Sequence, residues 1–380
     1  MFTASCLTDL KEVMKLRSEW EALLVQARNK SIFMTWEWLV SWWEIFGGDS
    51  DLWWLIIRSR DGKMVGGAPL YLRKHRNGLF LPHRELRFVG TGASVAPEHL
   101  DIVVDHANSN GLVRTISAYL VDHFSDWDIL CLANISDPAA ATYQLADELV
   151  RCGATSFIES QLPNAPYIPL PNSWDEYFKS LSAKMRANIA RHRRKLDREY
   201  QVTFHVWSHA DGDLDLAFDE FERLFQTRKA SVGIGNKFEE VHGYRQFHRL
   251  LAQKFAEKDW LYLAFLKNGK KPLAAEYTFK YLNSLYSYQF GFDAKFARNN
   301  VFKVLRSYII EDAIGRGLKE FELLRGQEPY KYAWKAVPMR KHLLKCFSPT
   351  FYGRALLGVS NLRRVGRRVA RTLRLVSGRV

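Results

Sequence analysis

The feature that most constrains the fold is a strand–helix–strand pattern between Leu285 and Trp334. LYSYQFGFD (285–293) is rich in aromatic residues, follows Asn283-Ser284, and reads as a strand. Val301, Val304, Leu305, Tyr308, Ile309 and Ala313 then recur at helical spacing, and Gly315 and Gly317 close the segment. Phe321–Leu324 is short and apolar, which suits a buried strand parallel to the first, because a helical crossover joins parallel neighbours. A chain built on such a unit is α/β. Ligands in open α/β sheets bind beyond the carboxyl ends of the strands, so Gln289–Asp293 and Arg325–Trp334 are expected to frame one pocket.

The same order of elements occurs twice. WWLIIRS, a turn at Asp61-Gly62 and KMVGGAPLYLRK are matched by WLYLAFL, a turn at Asn268-Gly269 and KKPLAAEYTFKY, with the two turns 207 residues apart. Each meander is followed by a third strand, a helix and a further strand. Two copies of one mixed α/β unit follow from this repetition, as the length of 380 residues also suggests. Between them Pro163, Pro166, Pro169 and Pro171 mark a linker, since proline neither continues a helix nor donates to a sheet. The expected organisation is a first domain at 1–162, a linker at 163–172, a second domain at 173–340 and a tail at 341–380.

YQFGFD, the helix ending IIEDAIGRGL, and FELLRGQEPYKYAW resemble the carboxyl-terminal signature of the CelD/BcsL-type acyltransferases, a GNAT-like family linked by name to cellulose biosynthesis. The aromatic stretch IFMTWEWLVSWWEIFGG and the basic helix LSAKMRANIARHRRKL are similar to the same family, and Tyr330-Lys331 resembles the Phe-Lys of Fem-type aminoacyltransferases, which are tandem GNAT-like proteins. The resemblance implies two GNAT-like domains in tandem, each a mixed sheet flanked by helices. It also implies acetyl-CoA as acyl donor, held between splayed strands with its pyrophosphate over the turn that enters the crossover helix, and a sugar or polysaccharide-precursor acceptor. Gln289, Gly291, Asn299, Asn300 and Lys303 are the cofactor-binding candidates on that reading. Val301-Phe302 stand where related sequences more often have Pro-Gly, which sets a bulky side chain near the phosphate turn.

Glu276 lies on a face of small residues in AAEYTF and is either a general base for the acceptor or an ion-paired strand residue. Asp293, at a strand end, is a second candidate base or a turn former. Lys331 and Arg325 flank the last loop, where a cation can stabilise the oxyanion of a tetrahedral intermediate. Arg228, Tyr288, Tyr330 and Trp334 are the acceptor-binding candidates. Trp36, Trp38, Trp42 and Trp43 read as core anchors or a sugar-stacking wall, and the basic residues of 181–200 as an anion-binding rim or a solvated face.

Other chemistries lack their motifs. G-x-S-x-G, H-E-x-x-H and C-x-x-C are absent, the eleven histidines are dispersed, and no metal is expected. Cys6, Cys131, Cys152 and Cys346 are spaced as free thiols of a reducing compartment, and no apolar run is long enough to span a bilayer, so a cytoplasmic location is expected. The net charge of +14 is local: residues 329–380 hold 13 Lys/Arg and no acid, leaving 42 basic against 41 acidic residues before them. Leu362, Val365, Val369, Leu373 and Val376 fall on one helical face with arginines over much of the rest, the pattern of an interfacial helix, so residues 352–380 are expected to meet an anionic membrane surface, with a disordered or RNA-binding tail as the alternatives. Two alternatives remain beside the acetyltransferase: Fem-like transfer from aminoacyl-tRNA, and a catalytically degenerate scaffold at the membrane.

Overall fold

The computed structural model describes residues 2–75, 81–137, 139–159 and 162–362, with no account of the side chains of 156–159. Two mixed sheets account for the strands. The first contains β1 (Thr3–Leu7), β2 (Asp51–Arg58), β3 (Met64–His75), β4 (His83–Phe88), β5 (Val103–Val104), β6 (Ile129–Ile135) and β7 (Thr155–Glu159). The second contains β8 (Tyr167–Pro169), β9 (Val202–Val206), β10 (Leu261–Asn268), β11 (Lys271–Tyr281), β12 (Ser284–Phe292) and β13 (Glu320–Glu322). The last strand, β14 (His342–Phe347), returns to the first sheet. Strand order is β1-β2-β3-β4-β6-β14-β7, with β5 beside β3, and β8-β13-β12-β11-β10-β9.

The duplication expected from the turns is present in three dimensions. The hairpins β2–β3 and β10–β11 are antiparallel, and each leads through a third strand and a helix (Ser109–Asp122 or Val301–Gly315) to a parallel neighbour, β4 with β6 and β12 with β13. A parallel neighbour is reached through a crossover, and both copies supply a helix for it.

Two segments differ from expectation. Tyr167–Pro169, within the proline-rich stretch 163–172, forms β8 antiparallel to β13. Prolines are tolerated there because β8 is an edge strand with Pro169 at its end. Residues 341–380 do not begin as a tail, because His342–Phe347 inserts between β6 and β7 of the first sheet. The two halves thus exchange edges: each parallel strand, β13 or β6, is flanked on its outer side by an antiparallel strand from beyond its own unit. After β14 a helix begins at Phe351, and its Leu356 packs on Ile129, Cys131 and Phe347. The basic residues 363–380, on which the membrane expectation mostly rests, lie outside the described residues.

The core is continuous across the duplication. Trp36, Trp38 and Trp42 of the helix Trp36–Phe46 are buried, which fits core anchors rather than a stacking wall. Trp38 meets Phe33 edge-on at 4.7 Å in its own half and Phe247 at 5.1 Å in the other. The Ala96 amide donates to the Tyr288 hydroxyl (3.2 Å) and Lys237 Nζ to the Ser94 carbonyl (3.0 Å) across the same boundary. Among the described residues no helix is long and apolar enough to cross a membrane, and the four cysteines are free.

Candidate active site

The site begins with an irregularity in β12. Ser287 pairs with Thr278 but Gln289 pairs with Tyr277, so Tyr288 is an extra residue in the ladder. Such a bulge bends and twists a strand. On the other side, β12 and β13 pair only from Ser284↔Glu320 to Tyr286↔Glu322. Beyond that the chain turns toward the 164–166 segment, where Leu323 N donates to the Pro166 carbonyl (2.9 Å) and Gly326 N to the Asn164 carbonyl (3.0 Å). The strands therefore diverge, and beside the opening lies a cavity of about 280 Å³ lined by Phe292, Asn300, Phe302, Lys303, Arg306, Tyr330 and Trp334.

Arg306 is the charged centre of this region. It projects from the helix Val301–Gly315, is buried, and directs Nη2 to Glu276 Oε1 (2.6 Å) and to Ser287 Oγ (2.9 Å). Ser287 Oγ also donates to Glu276. Burial opposes the guanidinium's charge, and Glu276 more than restores it. Among the described residues Arg306 Nη1 has no hydrogen-bond partner, an unusual condition for a buried cation. Aromatic rings extend the arrangement: Arg306 lies over Phe302 (4.5 Å), Phe302 stacks on Phe290 (3.8 Å), and Arg228 covers the far face of that pair, 3.8 Å from the Phe290 centroid.

The entrance to the helix is cationic. Asn300 takes the N-cap position in the left-handed region (φ 52°), which asparagine tolerates, and its side chain donates to His192 Nε2 (3.0 Å) instead of capping the helix. Arg191 donates to Asn188 Oδ1 (3.0 Å), and neither Arg191 nor Lys303 has a carboxylate partner among the described residues. Burial and the charges of Arg191, Lys303 and Lys195 push His192 below its ordinary range, so it is neutral at pH 7. Unpaired first-turn amides, a positive helix end and free cations together suit an anionic group.

Several candidate residues occupy other roles. Glu276 is fully buried and held by Arg306 and Ser287, which does not suit a base that must meet the acceptor. Lys331 is 4% exposed and points Nζ at the carbonyls of Leu324 (3.1 Å) and Arg325 (2.8 Å), with Glu328 at 3.1 Å. Its protons are committed to pinning the loop, which leaves none for an oxyanion. Burial lowers its pKa, and Glu328 partly opposes that. Asp293 caps a short 3₁₀ helix through the Lys295 amide (3.0 Å), the turn-forming role. Gln289 donates to the Tyr244 hydroxyl (3.1 Å), away from the cavity lining. Gly291 serves packing: a Cβ there would lie 2.2 Å from the Phe225 amide nitrogen, so its lack of a side chain lets the helix Leu214–Ser231 cross β12. Tyr288 belongs to the boundary between the halves, and Asn299 ends the 3₁₀ helix. Asn300, Lys303, Tyr330 and Trp334 do meet at the cavity, whereas Arg325 lies across the loop, 3.7 Å from Glu98.

Arg306 was not among the expected site residues, and Arg191 and His192 were expected only as part of the basic rim of 181–200. The available signal was an arginine within the apolar stripe of 301–314, matched by a carboxylate on a small-residue strand face.

Two other places gather polar groups, but their carboxylates are already engaged. A cavity of about 460 Å³ in the first half contains buried Asp101, but the amides of Ile102, Ala141 and Thr142 and the Thr142 hydroxyl occupy that carboxylate. His75, His83 and Glu85 bring ligand atoms within 4.8 Å of one another, although Glu85 is already bonded to His75 (3.1 Å) and Arg87 (2.9 Å).

Comparison with known proteins agrees with this architecture. Residues 183–332 match the family model of the acetyltransferase (GNAT) domain. The fold is that of a tandem GNAT protein. Similar solved structures include FemX (TM-score 0.61, 11% identity, covering 86% of this chain and 95% of that one). L-PGS from Bacillus licheniformis is similar at TM-score 0.52 and 15% identity, covering 88% and 92%. A tandem GNAT protein from the clavulanic acid biosynthesis pathway gives TM-score 0.50 at 11% identity, covering 92% and 99%. Comparison with curated protein sequences gives no match. The GNAT-type fold of the second half thus places the opening between β12 and β13 as the candidate active site.

Proposed function

We propose that the protein transfers an acyl group, acetyl in the simplest case, from an acyl-CoA thioester to an amine or hydroxyl of a sugar or exopolysaccharide precursor. The observation that carries this reading is the convergence of Arg191, Lys303 and the first turn of Val301–Gly315 at the mouth of a cavity whose wall includes the incompletely bonded Arg306. The pyrophosphate would meet the cations at the mouth, and the pantetheine arm would follow the apolar wall of Phe292, Phe302 and Trp334.

In the reaction the acceptor nitrogen or oxygen bonds to the thioester carbonyl carbon, the C–S bond breaks, and the thiolate leaves. Arg306 Nη1 is the group available to the developing oxyanion. Tyr330, on the cavity wall, would give its phenolic proton to the departing thiolate and recover one from solvent. No carboxylate lines the cavity among the described residues, so an amine acceptor would enter the reaction already deprotonated and release its second proton to solvent. A sugar acceptor and an inner-membrane location served by the basic tail remain part of this proposal.

A second reading is favoured by one observation. Phe302, stacked on Phe290, stands where related sequences more often have the glycine of a CoA phosphate turn, and the basic helix Ala183–Tyr200 borders that turn through His192 and Asn300. Fem-like transfer from aminoacyl-tRNA would use the same opening with the cations on RNA phosphates. Titration of the purified chain with acetyl-CoA and with aminoacyl-tRNA separates the two. Saturable acetyl-CoA binding supports the first, whereas strongly salt-dependent tRNA binding without it supports the second.

A further inference from the structure

The first sheet has one face covered by the helices Ser109–Asp122 and Ala141–Arg151, and its opposite face packs against Trp20 and Trp42 over β2 and β3 but carries charge over β4, β6 and β14. On that opposite face Arg87 of β4 and Lys345 of β14 come from strands separated by β6, where Cys131 is the register partner of Lys345. Arg325 reaches the same place from the loop after β13, and Lys341 from the segment before β14. Together with Thr91 and Asn134 they line a cavity of about 380 Å³, within the ~300–1,000 Å³ typical of small-molecule sites.

The charges there do not balance. Four cations border the cavity, and none of its described lining residues is a carboxylate. Two carboxylates stand behind the wall. Glu85 accepts from Arg87 (2.9 Å), and Glu98 accepts from Lys341 (2.5 Å) while lying 3.7 Å from Arg325. Lys345 has no carboxylate partner among the described residues, and Arg325 is held only by that long contact to a carboxylate already engaged elsewhere. Gathering four cations around a semi-enclosed space is unfavourable unless an anion enters it.

We infer that this cavity binds the anionic end of the acceptor, a phosphate monoester, so that the acceptor is a phosphorylated sugar. The excess of two cations over carboxylates matches the charge of about −1.5 to −2 on a phosphate monoester better than the single charge of a carboxylate. Arginine and lysine donors on several sides also suit its three terminal oxygens. The assignment rests on the acyltransferase reading, because the loop from Leu324 to Trp334 borders both this cavity, through Arg325, and the donor cavity, through Tyr330 and Trp334.

Glucosamine 1-phosphate, glucosamine and glucuronate are the probes, titrated calorimetrically into the full chain at low ionic strength. The phosphate should bind at least about tenfold more tightly than glucosamine, and Lys345→Gln and Arg325→Gln should each weaken it by about tenfold, the equivalent of ~1.4 kcal/mol. Acetyl-CoA affinity should be unchanged in Lys345→Gln. Equal binding of glucuronate would overturn the phosphate assignment, and a phosphate affinity indifferent to both substitutions would overturn the site. So would loss of acetyl-CoA binding in Lys345→Gln, since the cavity would then belong to the donor. Acetyl-CoA binding without phosphate binding refutes this inference alone. Phosphate binding that depends on Lys345, without acetyl-CoA binding, supports the cavity and refutes the acyl-CoA reading.

Discussion

Lys331 shows how a charged side chain can be marked by sequence yet have its role decided by its neighbours. Its position in PYKYAW singles it out, but a sequence does not show that the carbonyls of Leu324 and Arg325 lie within 3.1 Å of its Nζ. Glu276 is similar, since its partner Arg306 is 30 residues away on a helix, and only the fold brings the pair to 2.6 Å. Lys331→Ala is expected to lower unfolding free energy by ~1–3 kcal/mol, because it removes a buried donor from loop carbonyls. Chemical denaturation of parent and variant measures this. Parental stability combined with abolished transfer would return Lys331 to the chemistry.

At the level of elements, the meanders were legible because Asp-Gly and Asn-Gly turns between apolar runs fix hairpins locally. The crossover helix and its two strands were legible for the same reason: periodicity changes where the element changes. β8 and β14 were not, because each is short and its pairing is non-local. Tyr167 is the register partner of Glu322, and Lys345 of Cys131, so nothing near either strand in sequence announces the sheet it joins. Gly291 was legible as unusual in a strand, but its cause is a helix that crosses β12 rather than a cofactor. Gly291→Ala would place a methyl 2.2 Å from the Phe225 nitrogen and 2.4 Å from the Leu224 carbonyl carbon. Backbone cannot yield as a flexible side chain can, so a loss of ~1–3 kcal/mol is expected, read as a lower thermal midpoint. An unchanged midpoint would mean that the helix Leu214–Ser231 can shift without cost.

Across the whole molecule, one aromatic core joins the halves, and His248 sits in it. It is fully buried, 4.4 Å from the Tyr244 ring and 5.0 Å from that of Tyr288, and neither ring nitrogen has a hydrogen-bond partner among the described residues. Burial, with a smaller contribution from Lys237, pushes its pKa down to about 3. Since the unfolded chain protonates near 6.5, it takes up a proton that the folded chain refuses as pH falls from about 6.5 toward 3. Stability is therefore fully present above that window and lost through it, at up to ~1.4 kcal/mol per pH unit. Unfolding measured at pH 7 and pH 5 should show a steeper acid loss in the parent than in His248→Phe, and equal slopes would contradict the assignment.

On the proposed function the acyl donor binds at the entrance of the helix Val301–Gly315. The most direct test is the acetyl-CoA affinity of the parent beside that of Lys303→Glu, which reverses one charge at the mouth without touching Arg306. Micromolar binding by the parent and at least about a tenfold loss in the variant are expected, a difference of ~1.4 kcal/mol or more. Equal affinities, or no binding by the parent at millimolar acetyl-CoA, would contradict it.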